Sequence, residues 1–124
     1  MTTAIETHRD LRVWQESMTL AEITYHATAQ FPSSERFGLA LQMRRAAVSV
    51  ISNIAEGAAR NSPKDFAKFL AIARGSLAEL DAQSDLAARL QMLQQGQQLK
   101  NQCETCGRLL SALSLSIRRK IPQD

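Results

Sequence analysis

The sequence predicts an all-α protein, an antiparallel up-down-up-down four-helix bundle that forms a single domain over residues 1–124. Apolar residues recur at three- and four-residue spacing along most of the chain, which is typical of helices packed on one core. Five Gly and three Pro in 124 residues leave few helix breakers. The breaks divide the chain into helices of about 10–30, 36–59, 63–93 and 97–120, and the short links between them favour antiparallel neighbours.

The first predicted helix begins near Asp10 and carries one apolar seam. The seam steps by three and four residues through Leu11, Trp14, Met18, Ala21, Tyr25 and Thr28. Trp14 and Tyr25 are the only Trp and Tyr of the chain, and their place on the seam predicts that both are core residues. Phe31-Pro32 ends the helix, because proline disfavours helical geometry in the residue before it.

The second predicted helix has an unusually wide apolar surface. Its polar side chains occupy roughly a third of the helical wheel, so the apolar arc is about twice the ~100° that one core requires. We therefore expect this helix to be covered on two sides, by its own bundle and by a second copy of the chain. Arg44 falls inside the apolar arc, where an arginine must extend to solvent, pair, or lie at a subunit junction. Gly57 lies near the end of the helix, where a C-terminal cap is one role that a glycine can have.

The third predicted helix has the clearest start in the sequence. Ser62 is the expected N-cap, Pro63 the first helical residue, and Asp65 an acidic residue in the first turn. Its expected core seam consists of Phe66, Leu70, Ala73, Leu77, Leu80 and Ser84. A neighbouring stripe ends in four small residues that would let another backbone approach closely, namely Ala71, Gly75, Ala78 and Ala82.

The fourth predicted helix contains both cysteines, in the pattern Cys103-x-x-Cys106. This spacing raises a metal or redox interpretation. A structural zinc site needs four ligands, however, and His8 and His26 are the only histidines and lie on distant segments. The cysteines also occupy two steps of the apolar seam Leu99, Cys103, Cys106, Leu110, Leu113 and Ile117. Core packing is therefore the favoured interpretation, and we expect no bound metal or cofactor.

The charge of the chain is unevenly distributed. The net charge is +3 and the pI is near 9.2. Residues 1–35 hold two basic and five acidic residues, a net −3, whereas residues 36–76 hold seven basic and two acidic residues, a net +5. A basic tail follows at residues 118–120. This distribution suits a polyanion partner, and a solvated basic face explains it equally well.

Neither a membrane span nor a signal peptide is predicted. The best apolar run, residues 46–55, is much shorter than the ~20 residues that a membrane span requires. The first six residues lack the basic region and the apolar core of a signal peptide. We therefore expect a cytoplasmic protein with no membrane partner.

The residues that carry catalytic chemistry in other proteins are not combined here in a recognisable site. The sequence has no glycine-rich phosphate loop, and neither histidine follows a glutamate at the Glu-x-x-His spacing of di-iron bundles. A polar group on the second helix, Arg45, Asn53, Glu56 and Arg60, is interpreted as a structural network at the following turn. We therefore expect a protein without enzymatic activity.

Several blocks of this sequence, in order and spacing, resemble one bacterial protein family. The chain is similar to the four-helix-bundle proteins first noticed as open reading frames in intervening sequences of 23S ribosomal RNA genes. The resemblance covers about residues 10–93. It rests on Leu11-Arg12-Val13-Trp14-Gln15, Phe31-Pro32, Glu35-Arg36-Phe37-Gly38-Leu39, Gln42-Met43-Arg44-Arg45-Ala46-Ala47-Val48-Ser49-Val50, Ser52-Asn53-Ile54-Ala55-Glu56-Gly57, Lys64-Asp65-Phe66 and Ala73-Arg74-Gly75-Ser76-Leu77-Ala78-Glu79-Leu80.

The resemblance implies an antiparallel four-helix bundle and a ring- or barrel-shaped homopentamer. It also implies a distant relation to the accessory variability protein of diversity-generating retroelements, a basic pentamer that binds nucleic acid and a reverse transcriptase. The partners that the resemblance suggests are therefore further copies of this chain, RNA or DNA, and a reverse transcriptase or another protein. The family is not known to be catalytic, which agrees with the search of the residues.

Two functional hypotheses follow. The first is a non-enzymatic, oligomeric nucleic-acid-binding protein whose phosphate contacts are Arg44, Arg45, Arg60, Lys64, Lys68 and Arg74. The second is a protein interaction scaffold without a nucleic-acid role, in which the basic residues serve solubility or pairing between subunits. Aromatic residues make up only 5% of the chain, and the sequence predicts no exposed aromatic platform for single strands, which favours the second hypothesis mildly.

Overall fold

The computed structural model describes residues 6–94 and 96–122, and these residues form an all-α fold without β-strands. The four α-helices are α1 (Arg12–Thr28), α2 (Leu39–Ala58), α3 (Pro63–Arg89) and α4 (Gly96–Arg118). Two short 3-10 helices, His8–Asp10 and Ser33–Glu35, precede α1 and α2. The predicted fold class is therefore confirmed.

The helices pack as an up-down-up-down bundle, in which each helix contacts the next and α1 also contacts α4. Between α2 and α3, the hydroxyl oxygens of Ser49 and Ser76 lie 2.7 Å apart. Further along α2, Gly57 packs against Phe66. Because a later residue of α2 meets an earlier residue of α3, these two helices run in opposite directions, as predicted.

The end of α3 differs most from its prediction, whereas every other predicted helix end lies within three residues of the observed one. The helix stops at Arg89 instead of residue 93. Gln91 adopts a left-handed conformation with φ of 60°, and the N–H of Met92 donates to the carbonyl oxygen of Ala87 at 2.9 Å. This is a Schellman motif, which usually has glycine at the left-handed position. Because a glutamine at this position does not signal a helix end, the predicted helix extends four residues too far.

The core face of the first helix matches the prediction only in part. Leu11, Ala21 and Thr28 are buried, but Tyr25 is 44% exposed and Trp14 and Met18 are only partly buried. The remaining core positions of α1 are Val13, Ser17, Leu20 and Thr24. The observed face is rotated relative to the predicted seam, because Ser17 and Thr24 belong to the core and the seam leaves them out. In the helix, the hydroxyl of Thr24 donates to the carbonyl oxygen of Leu20 at 2.8 Å, which lets its methyl group pack in the core.

The predicted seams of α3 and α4 are confirmed. Ten of their twelve residues are buried, and the other two, Phe66 and Leu113, pack partly buried against the core. Both cysteines are free thiols inside this core, where Cys106 accepts a hydrogen bond from the Ser17 hydroxyl at 3.8 Å. Their placement confirms the prediction that the two cysteines pack in the core of the bundle.

The outer side of α2 keeps part of its apolar surface uncovered. Seven α2 residues are buried in the bundle. Val48 is 39% exposed, and Leu41, Ile51 and Ala55 are partly buried. Tyr25 of α1 and Leu41 and Val48 of α2 line one shallow groove on this side. The bundle therefore covers one of the two apolar faces that the sequence predicts for α2. No helix in the described part of the chain is long and apolar enough to cross a membrane.

The glycines of α2 and α3 have different environments. At Gly57 an added Cβ atom would lie 2.8 Å from Cδ1 of Phe66 and 2.9 Å from Cβ of Phe69, so the glycine permits close helix packing. Gly57 is not the C-terminal cap, which is Ala59 in a right-handed helical conformation. At Gly75 an added Cβ would meet no described atom within 4 Å. Close packing within the chain therefore explains Gly57 and does not explain Gly75.

Candidate nucleic-acid interface

The six basic residues predicted as phosphate contacts lie in separate places along α2 and α3. Arg44 and Arg45 lie near the start of α2, and Arg60 follows its end. Lys64 and Lys68 lie near the start of α3, and Arg74 lies in the middle of α3. Arg44 and Arg60 are 16 residues apart on nearly continuous helix, which corresponds to about 24 Å at 1.5 Å per residue. The structure therefore distributes these residues along one protomer instead of collecting them in a single patch.

Arg44 is bound to the C-terminal end of α1. Its Nε donates to Oγ1 of Thr28 at 2.8 Å and its Nη2 donates to the carbonyl oxygen of Tyr25 at 3.2 Å. The guanidinium carbon also lies 4.6 Å from the centroid of the Tyr25 ring. A cation at this position compensates the negative end of the α1 dipole. Arg44 is thus accommodated in the apolar arc of α2 by pairing within the chain, one of the three predicted alternatives.

The polar network predicted around Glu56 forms only in part. Arg60 Nη2 lies 2.9 Å from Glu56 Oε1, and the Arg60 guanidinium covers the Phe69 ring at 5.0 Å from its centroid. Asn53 donates instead to the carbonyl oxygen of Ser49 at 2.8 Å. The prediction is wrong for Arg45, which is exposed and forms no ion pair with a described residue. It precedes Glu56 by 11 residues, or about 16 Å of helix, which is too far for contact.

Lys64, Lys68 and Arg74 are exposed on α3 and form no ion pair within residues 6–94 and 96–122. Arg74 borders a groove between α3 and α4 that also contains acidic side chains, Asp81 and Glu104 among them. The two lysines are therefore cations with no acidic partner among the described residues, whereas Arg74 lies in a mixed electrostatic environment.

Lys100 forms two ion pairs, more than any other described basic residue. Its Nζ lies 2.8 Å from Asp81 Oδ1 and 2.9 Å from Asp85 Oδ1, which links α4 to α3. Hydrogen bonds to Asp81 and Asp85 raise the pKa of Lys100 above its ordinary value. In the same region burial raises the pKa of the Cys103 thiol to about 12. A buried thiol that stays protonated is a poor nucleophile and a poor metal ligand.

Sequence reasoning missed two functional candidates, Arg36 and Phe37, in the link between α1 and α2. Phe37 is 80% exposed, the largest exposed fraction among the large exposed apolar residues. The Arg36 guanidinium carbon lies 5.4 Å from the Phe37 ring centroid. The prediction that no aromatic platform is exposed is therefore wrong. Its available signal was an aromatic residue between Arg36 and Gly38, outside any apolar seam.

A cavity of about 310 Å³ lies beside this pair, between the end of α1 and the start of α2. Its lining includes the hydroxyl-bearing Thr28 and Ser33 and the guanidinium-bearing Arg36 and Arg44. None of the described residues that line it carries a carboxylate. The cavity is therefore cationic and has hydrogen-bond donors, which are the properties required to hold a small anion.

These features define an all-α bundle with dispersed basic side chains, and comparisons with known proteins assign its family. A family model described as 23S rRNA-intervening sequence protein matches residues 9–112. The chain therefore belongs to the family of 23S rRNA-intervening sequence proteins. No curated protein matches it in a comparison of sequences.

A comparison of structures found the same fold in a bacterial protein. The crystal structure of a protein with unknown function from the S23 ribosomal protein family of Bacteroides thetaiotaomicron matches with a TM-score of 0.76. The match covers 82% of this chain and 94% of the other, with 21% sequence identity. At this identity the likeness shows the fold alone.

Proposed function

We propose that this chain is a non-enzymatic, homo-oligomeric protein, a pentamer in the cytoplasm, that binds RNA or DNA through phosphate contacts. The observation that carries the proposal is the set of cations on α2 and α3 that have no acidic partner among the described residues. They include Arg45, Lys64 and Lys68. They belong to the stretch 36–76, which has a net charge of +5. A free cation can neutralise a phosphate without first breaking an ion pair.

The six basic residues would contribute unequally to such binding. Lys64 and Lys68 are the strongest candidates, because they are exposed and have no ion pair with a described residue. Arg45 is exposed in the single chain but lines the groove beside Tyr25 and Val48, so its contribution depends on how copies of the chain assemble. Arg60 shares its charge with Glu56, and Arg74 lies close to acidic side chains. Contacts of this kind fix the position of a nucleic acid and read little of its sequence.

Assembly would multiply these contacts. The partly exposed apolar side chains of Tyr25, Leu41 and Val48 border one groove, and a second copy of the chain would remove them from water. A ring would then present the same cations several times to one polyanion. Repetition of this kind raises avidity without any new type of contact.

The first experiment measures mass in solution and nucleic-acid affinity as a function of salt. We expect a mass of five protomers and an RNA or DNA affinity that falls steeply between 50 and 200 mM salt, as phosphate contacts require. The double variant Lys64→Gln/Lys68→Gln should reduce the salt slope by about one for each lysine that contacts a phosphate. Arg108→Gln, an exposed residue of α4, is the matched control. Absence of binding even at low salt would contradict the proposal.

A second candidate function is a protein interaction scaffold without a nucleic-acid role. It is favoured by apolar side chains exposed on α3 and directly after it, Ile72 at 43%, Leu86 at 49% and Leu90 at 56%. A defined protein partner, such as a reverse transcriptase, should then remain bound after nuclease treatment and be lost from Leu86→Ala/Leu90→Ala. Loss of the partner on nuclease treatment alone would favour the nucleic-acid function.

A further inference from the structure

Two aromatic rings, two guanidinium groups and a cavity occur where the end of α1, the link and the start of α2 meet. The Phe37 ring is covered by the Arg36 guanidinium at 5.4 Å, and Arg36 borders the cavity. Arg44 also borders the cavity, and its guanidinium covers the Tyr25 ring at 4.6 Å. This group combines a cationic pocket with an exposed ring that contacts one of the lining arginines.

The Arg44 guanidinium is held in place by only some of its N–H donors. A guanidinium group has five N–H donors, and two of them are used by Thr28 and Tyr25 at the end of α1. The bonds fix the plane of the group, and its three other donors form no hydrogen bond with a described residue. An arginine fixed in this way loses little conformational entropy when it binds an anion.

The nearest carboxylate in sequence is occupied elsewhere. Glu35 precedes Arg36, but its Oε2 accepts the N–H of Leu39 at 3.3 Å, and Glu35 is not among the residues that line the cavity. Its charge is therefore directed to the start of α2, where an acidic group is favoured by the helix dipole. Arg36 and Arg44 remain the charged groups that border the cavity among the described residues.

We propose that Phe37, Arg36 and Arg44 form a binding site for single-stranded nucleic acid. One unpaired base stacks on the exposed face of Phe37, and its neighbouring phosphate enters the cavity between the two arginines. This inference rests on the proposed nucleic-acid function and specifies the form of the ligand. In a duplex both faces of each internal base are covered by neighbouring base pairs, so an aromatic side chain of this kind selects unpaired bases.

The main experiment compares a labelled nine-nucleotide single strand, as RNA and as DNA, with a duplex of the same length. The wild-type protein should bind the single strand at least about tenfold more tightly. Phe37→Ala should weaken single-strand binding by about tenfold, in the range for the loss of one base–aromatic stack, and change duplex binding by less than about twofold. Leu115→Ala is the matched control, because Leu115 is a 50% exposed apolar residue at the opposite end of the bundle.

A spectroscopic measurement reports stacking directly. Trp14 is the only tryptophan of the chain, so the double variant Trp14→Phe/Phe37→Trp carries its single indole at the proposed site. Its fluorescence should be quenched when the single strand is added, and the duplex should quench it much less. Arg36→Gln should weaken single-strand binding and reduce the salt slope by about 0.7, the value for one phosphate of a single strand. If the double variant fails to fold, the Phe37→Ala series decides alone.

Three outcomes would overturn the inference, and they are distinguishable. If the wild-type protein binds no nucleic acid, the proposed function itself fails. If it binds and Phe37→Ala leaves the single-strand affinity unchanged, only the site fails. If Phe37→Ala lowers the mass of the oligomer, Phe37 is a contact between subunits and not a base platform.

Discussion

The two ends of α2 each place an arginine over an aromatic ring, but their surroundings differ. At the start, Arg44 covers Tyr25 beside a cavity of about 310 Å³ whose described lining includes no carboxylate. At the far end, Arg60 covers Phe69, and Glu56 lies 2.9 Å from it. The first end keeps an open space next to its cation, and the second neutralises its cation within the chain.

The packing differs in the same way. At the far end Gly57 allows Phe66 and Phe69 to approach the α2 backbone, so α2 and α3 are in close contact there. At the start a long arginine side chain spans the distance to α1. At the far end, close packing and a local ion pair leave little space and little free charge for a ligand. At the start, the cavity gives space and the Arg44 guanidinium gives a positive charge. The comparison therefore favours a structural role for the far end of α2 and, for its start, the binding role that we propose.

The largest expected effect tests the far end of α2, which we call the closed end because α2 and α3 are in close contact there. Gly57→Ala would place a Cβ atom 2.8 Å from Phe66 Cδ1 and 2.9 Å from Phe69 Cβ. The clash should outweigh the gain of about 1 kcal/mol in helix propensity and lower the free energy of unfolding by about 2 kcal/mol. Urea unfolding measures the difference. A variant as stable as the wild type would show that this end is not closely packed.

The next effect tests the start of α2, which we call the open end because a cavity lies beside its arginine. Arg44→Ala removes two hydrogen bonds and a cation–π contact from the end of α1, and should lower the free energy of unfolding by about 1–2 kcal/mol. Hydrogen exchange of the last turn of α1 should also become faster. Arg45→Ala, at the exposed neighbouring position, should stay within about 0.5 kcal/mol of the wild type. Equal effects of the two variants would remove the bridging role from Arg44.

A third variant tests a helical glycine that lies away from both ends of α2. Gly75→Ala adds a methyl group where no described atom lies within 4 Å, so it should raise the free energy of unfolding by about 1 kcal/mol. It therefore has the opposite sign to Gly57→Ala, although both replace a helical glycine. If Gly75→Ala also lowers the mass of the oligomer, the exposed stripe of α3 is a subunit contact. A loss of stability at unchanged mass would contradict the open environment of Gly75.

The parts of the fold that the sequence predicted are those in which one local rule applies. Large aliphatic residues at helical spacing located the α3 and α4 seams. The hydroxyl of Ser62 accepts the N–H of Asp65 at 3.3 Å, so the predicted N-cap of α3 is confirmed. These features depend on residues close in sequence and need no knowledge of the neighbouring helices.

The failed predictions depend on the neighbouring helices or on competing preferences. The spacing of Tyr25 predicts a core residue, yet Tyr25 is 44% exposed. The hydroxyl groups of Thr24 and Thr28 bond within α1, which lets these two residues face the core instead. The packing role of Gly57 becomes visible only when α3 is in place. Periodicity gives no signal of the exposure of Phe37, because an isolated aromatic residue in a link belongs to no periodic pattern. The candidate site depends on this last residue.

The smallest expected effect concerns Arg60. Both partners of its ion pair are about half exposed, 46% for Arg60 and 51% for Glu56, so Arg60→Ala should change the free energy of unfolding by no more than about 0.5 kcal/mol. Single-strand affinity should also fall less than in Arg36→Gln, because Glu56 already compensates the Arg60 charge. Urea unfolding and the same oligonucleotide titration measure both quantities. If Arg60→Ala reduced affinity as strongly as Arg36→Gln, the closed end of α2 would bind phosphate as well, and the difference between the two ends would be one of packing alone.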